Sequence, residues 1–166
     1  MNKVYGLKEE FVPIRKDRSR LIVSYGIEPL EDGVHATWYE IYFYKKPHPV
    51  VTLEDIKQAI LADINEQTDE KILKGFTWND MKVWLSSENQ FNFKAAYDLA
   101  VQTQGASLPV KFKLGEDENE EPIYHTFETL EDLGDFYTKA ITYIVGCLNE
   151  GWNRKDSIDW SDYEPK

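Results

Sequence analysis

Residues 52–105 read TLEDIKQAILADINEQTDEKILKGFTWNDMKVWLSSENQFNFKAAYDLAVQTQG, and this stretch decides the fold because it marks its own boundaries. Thr52, with Asp55 three residues on, predicts a helix N-terminus. Leu53, Ile56, Ile60, Ile64 and Ile72 then recur at helical spacing until Gly75 supplies a stop. Phe76-Thr77-Trp78 and Met81-Lys82-Val83 flank Asn79-Asp80, a two-residue hairpin that pairs Trp78 with Met81 and Phe76 with Val83. Ser87, followed by Gln90, makes a capping-box pattern for a second helix through Phe91, Phe93, Ala96, Leu99 and Ala100, ended by Gly105. Nothing in this unit carries a catalytic pattern.

Gly75-Phe76, the hairpin and the Gln90-x-Asn92-Phe93 pattern resemble a domain of unknown function found at the C-terminal ends of bacteriophage and prophage tail proteins, including those of gut Bacteroidales. The likeness runs on through Pro109-Val110, the last helix and Trp152, covering roughly residues 53 to 158. It implies a phage context and no reaction, since that family has no assigned catalytic residue. Residues 1–50 lie outside it.

Outward from the centre, the N-terminal side opens with an irregular segment. Residues 1–20 hold six basic and three acidic side chains, with Arg15, Lys16, Arg18 and Arg20 clustered around Asp17. We read an extended arm, whose cations are either solvated or meet acid on a partner. Leu21, Val23 and Tyr25 alternate with polar or opposite-facing residues, Asp32-Gly33 marks a turn, and a second strand runs from Val34 to Tyr44. That strand carries Trp38, Tyr39, Tyr42, Phe43 and Tyr44, so aromatic rings lie on both of its faces. A hairpin standing alone cannot bury both. The ribbon is therefore sandwiched within the fold, or one face is a protein interface, where aromatics are enriched, or it stacks on carbohydrate. Pro47 and Pro49 break regular structure and set a boundary at residue 49.

On the C-terminal side, Val110, Phe112 and Leu114 alternate, as do Ile123, His125 and Phe127, which predicts a second hairpin. Its tip, Glu116 to Glu121, is acidic but lacks the Asp-x-Asp-x-Asp-Gly order of a calcium loop. Thr129 with Asp132 caps a last helix bearing Leu133, Phe136, Tyr137, Ala140, Ile141, Ile144 and Leu148. The tail holds Ile158, Trp160 and Tyr163 among acids and packs either on its own body or on a neighbour.

The expected fold is α+β: an N-terminal aromatic β-ribbon (1–49), then helix, hairpin, helix, hairpin, helix (50–166), antiparallel sheet with helices on one face. The chain carries 19 basic and 30 acidic residues, net −11, which opposes phosphate and argues against general nucleic-acid binding. One cysteine, Cys147, permits no intrachain disulfide. No apolar run approaches the ~20 residues of a membrane span, and Met1-Asn2-Lys3 opens no secretion signal. His35, His48 and His125 are too dispersed for a metal site, and no phosphate loop or nucleophile motif occurs, so no cofactor, metal or enzymatic activity is expected.

The functional expectation is a non-enzymatic virion component of a phage tail, a baseplate, fibre-adaptor or connector piece made in the host cytoplasm. It would bind other tail or virion proteins, or a second copy of itself, without nucleic acid or membrane insertion. Contacts are expected from Arg15, Lys16, Arg18, Arg20, Trp38, Tyr39, Tyr42, Phe43, Tyr44, Trp160 and Tyr163, with Asn92 a polar anchor. A tail-fibre assembly chaperone absent from the particle, and an enzyme or carbohydrate-binding module, are the alternatives.

Overall fold

The structure, a computed structural model, describes residues 2–17, 19–44 and 51–164. Arg18, His48 and the expected boundary at Pro49 lie outside the described residues. The chain is α+β, with eight strands, three α-helices and two short 3-10 turns among the described residues. It packs as two compact units. Residues 1–66 with 151–166 make the first, and residues 67–150 the second.

In the first unit, the segment read as an arm is sheet. Strands β1 (Asn2–Leu7) and β2 (Ile14–Lys16) flank the long hairpin β3 (Arg20–Pro29) and β4 (His35–Tyr44) in the antiparallel order β1-β4-β3-β2. Because β1 and β2 sit at opposite edges, residues 8–13 must cross one face of the hairpin. The Phe11 ring meets Trp38 edge-on at 6.0 Å, which identifies the face crossed as that of Ala36, Trp38, Glu40 and Tyr42. A Cβ at Gly6 would lie 2.7 Å from the Trp38 ring, so only glycine lets the indole lie against β1. Between Tyr25 and Glu28 the β3–β4 register slips, and Gly26 takes φ +66 there, a bulge that kinks β3.

The other face of this sheet is the core of the unit. Val23 and Tyr25 cluster with Ile56, Ile60 and Ile64 of α1 (Leu53–Lys74) and with Tyr163, while Leu21, Tyr39, Ile41 and Phe43 pack at the margin. The cap of α1 is the one the sequence predicts: Asp55 N–H donates to Thr52 Oγ1 at 3.2 Å and Thr52 N–H to Asp55 Oδ2 at 2.8 Å. The tail is part of this core. Its 3-10 turn, Trp160–Tyr163, brings the Tyr163 hydroxyl to the Ser24 carbonyl at 2.9 Å.

In the second unit, α1 ends where Gly75 N–H meets Lys71 O, and β5 (Phe76–Trp78) pairs with β6 (Met81–Val83) in the predicted register. Asn79 and Asp80 have φ of 47 and 60, the left-handed pair that a type I′ turn requires. Helix α2 spans Ser87–Gln102, but its cap is Ser86, one residue earlier than the sequence pattern suggests: Ser86 Oγ accepts from Asn89 N–H. Strands β7 (Val110–Glu116) and β8 (Pro122–Phe127) form the second hairpin, and α3 spans Leu130–Asp156. The two hairpins are separate two-stranded sheets, bridged by Trp84 N–H to Leu114 O at 2.7 Å. Phe76, Trp78, Phe93, Phe127, Leu133 and Phe136 centre an aromatic core against which both hairpins and the helices of this unit pack. No helix among the described residues is long and apolar enough to cross a membrane.

Candidate protein-contact surfaces

Strand β4 sorts its aromatics by face, since successive side chains alternate. Trp38 is a core residue, 2% exposed, and offers a partner no ring surface. Beneath it Glu40 is 4% exposed, a carboxylate taken out of water. Such a group persists only where donors surround it. Arg15 donates to it at 2.7 Å, the Trp38 indole N–H at 3.2 Å and the Tyr42 hydroxyl at 2.9 Å. The bond to Glu40, with burial second, pushes the Tyr42 phenol above its ordinary range. Buried carboxylate and half-exposed guanidinium thus staple β2 to the sheet.

The remaining expected contact residues fall into three groups. Arg20 is turned inward, hydrogen-bonded to Asp17 at 3.1 Å and seated 4.5 Å over the Tyr42 ring; the Asp17 bond raises its pKa. Tyr39 stacks on Tyr25 at 5.6 Å, with Lys3 and Arg154 over its ring at 5.7 and 5.4 Å. Tyr163 is 5% exposed and Trp160 lies half-buried under Lys57, so the tail docks on its own unit. Phe43 is half-buried in the core margin. Lys16 and Tyr44 face solvent, Tyr44 at 67% exposure.

The second unit carries a surface the sequence reading passed over. On α2, Phe93, Tyr97 and Ala100 share one face: Phe93 and Ala100 are buried, and Tyr97 packs beside them. Phe91, Ala95 and Leu99 follow at intervals of four, about half a turn round the helix, and all three are exposed, Phe91 at 71% and Leu99 at 51%. A helix with apolar residues on opposite sides has more apolar surface than its own unit covers. The signal is present in the sequence, since Phe91 and Leu99 lie at a spacing that sets them opposite Phe93 and Ala100 on the same helix.

Polar side chains beside α2 are structural. Asn89 Nδ2 donates to Trp84 O at 2.9 Å and Gln90 Nε2 to Leu85 O at 2.6 Å, so these amides anchor the backbone that follows β6. Asn92 is exposed instead. Each described histidine meets an aspartate: His35 Nδ1 lies 2.6 Å from Asp32, and His125 Nε2 lies 3.2 Å from Asp132. Asp32 also accepts the backbone N–H of Val34 and His35, and these bonds, that of His35 foremost, hold its carboxyl down at about 2. Both pairs fix local structure, Asp32 in the β3–β4 turn and Asp132 in the first turn of α3. Among the described residues no group of three or more potential metal ligands converges.

These features define an α+β protein whose buried polar groups serve its own fold and whose candidate functional surfaces are apolar and open. A family model, the domain of unknown function DUF4376, matches residues 55–165, and the chain belongs to that family. No curated protein and no solved structure matches it.

Proposed function

We propose that the chain is a non-enzymatic component of a bacteriophage or prophage tail that works through protein contacts. The observation that carries this reading is the solvent-side stripe Phe91, Ala95 and Leu99 on α2. Large apolar side chains at regular helical spacing on a solvent face suit a protein interface. Family membership over residues 55–165 gives a domain of unknown function, and the tail context rests on the resemblance drawn from the sequence.

The double variant Phe91→Ser/Leu99→Ser tests it. Both side chains are exposed, so the melt should shift little, within about 0.5 kcal/mol for each surface change. The variant should be missing from purified particles at equal expression. Incorporation at the wild-type level would overturn the reading.

A further inference from the structure

Strand β1 pairs with β4 from Leu7 opposite His35 to Asn2 opposite Glu40. Beyond that point Ile41 to Tyr44 pair with β3 on one side and, among the described residues, with no strand on the other. A shallow groove of about 380 Å³ lies along this open edge, lined by Asn2 and residues 40–42 and 44 on the sheet side. Its far wall is α1, with Ala59, Ala62, Asp63 and Glu66. The two alanines extend no further than Cβ and leave room for a second backbone.

We propose that this edge takes up an extended peptide segment of a partner protein as an added strand, with basic residues at alternate positions. The backbone N–H and C=O groups of Tyr42 and Tyr44, which point away from β3 and meet no strand among the described residues, supply the strand-to-strand bonds. Alternation decides the side chains. Those facing α1 meet the exposed Glu66 carboxylate and the negative charge of Asp63, whose Oδ2 also accepts from the Tyr25 hydroxyl at 2.5 Å, so they are Lys or Arg; those on the other face meet Tyr42 and the exposed Tyr44, so they are apolar. Net charge on the chain, −11, attracts such a segment from a distance. The site is separate from the α2 stripe, and it stands whether or not the chain is a tail component.

The probe is acetyl-Lys-Val-Lys-Val-Lys-Val-amide, with acetyl-Glu-Val-Glu-Val-Glu-Val-amide as the comparison, added to the full chain. The basic peptide should slow amide exchange at Tyr42 and Tyr44, whose backbone groups point away from β3, bind more weakly as salt rises, and lose about two- to fivefold in affinity to Glu66→Lys. Ala62→Arg, which fills the groove and repels the probe, should abolish binding without moving the melt. Absence of protection at Tyr42 and Tyr44, equal binding of both peptides, or binding that survives Ala62→Arg would overturn the proposal. So would concentration-dependent dimers of the chain alone that protect the same two amides, which would give the edge to a second copy.

Discussion

At the scale of single residues, Glu40 organises the N-terminal sheet more than any aromatic beside it. Its carboxylate satisfies three donors from three places in the sequence, Arg15, Trp38 and Tyr42. Glu40→Ala leaves the indole N–H without an acceptor under a covered face. We expect a loss of roughly 1–3 kcal/mol, read by urea denaturation of the variant against the parent. An unchanged midpoint would mean that the network is incidental. Tyr163 gives a second case, with a pH signature. Burial raises its phenol from 10.0 to about 12, so the fold holds the neutral form. Its contribution is therefore complete below pH 10 and fades as pH rises from there towards 12. Tyr163→Phe removes the bond to Ser24 O, about 0.5–1.5 kcal/mol, and should flatten the stability profile between pH 10 and 12. A profile as steep as that of the parent would place the alkaline transition elsewhere.

At the scale of elements, what was legible is what depends on neighbours in sequence. The β5–β6 hairpin, its register and its left-handed turn follow from Asn79-Asp80 between two short apolar runs. Asn79→Val with Asp80→Val puts β-branched residues at positive φ twice and should cost on the order of 1–3 kcal/mol, seen as a lower melting temperature. An unaltered melt would contradict the turn. The three helices were legible for the same reason, through periodicity and caps, with the cap displaced by one because Ser87-x-x-Gln90 matches the capping-box pattern while the acceptor is the adjacent Ser86. Strands β1 and β2 were not legible. β2 pairs locally, Arg15 opposite Ile22, but its three residues are too few to show alternation; Asn2–Leu7 carries no alternation either, and its partners lie across the chain, Val4 opposite Trp38. Pairing of that kind is settled by tertiary packing, which no local window contains. The same holds for Arg15, bonded to Glu40 far along the chain, whereas the Asp17–Arg20 pair, three residues apart, lies within a local window. A lone Glu flanked at two residues on either side by Trp38 and Tyr42 was the available signal, since both neighbours on that face can donate.

At the scale of the whole molecule, the N-terminal sheet is not an appendage to the family domain. The matched residues 55–165 include Ile56, Ile60, Ile64 and Tyr163, and those side chains are buried together with Val23 and Tyr25, which lie outside the match. The core of the first unit thus draws on both sides of the boundary expected at residue 49, since β3 packs against α1 and Tyr163. Residues 67–150 keep their own aromatic core around Phe136. What distinguishes the proposed function from its nearest rival is where the finished protein resides, because an assembly chaperone would use equally apolar surfaces and then leave. Quantitative mass spectrometry of phage or prophage particles purified from cells that express the chain decides between them. The account predicts the chain in the particle at a fixed copy number relative to other tail proteins. Abundance in the lysate with absence from the particle would contradict it.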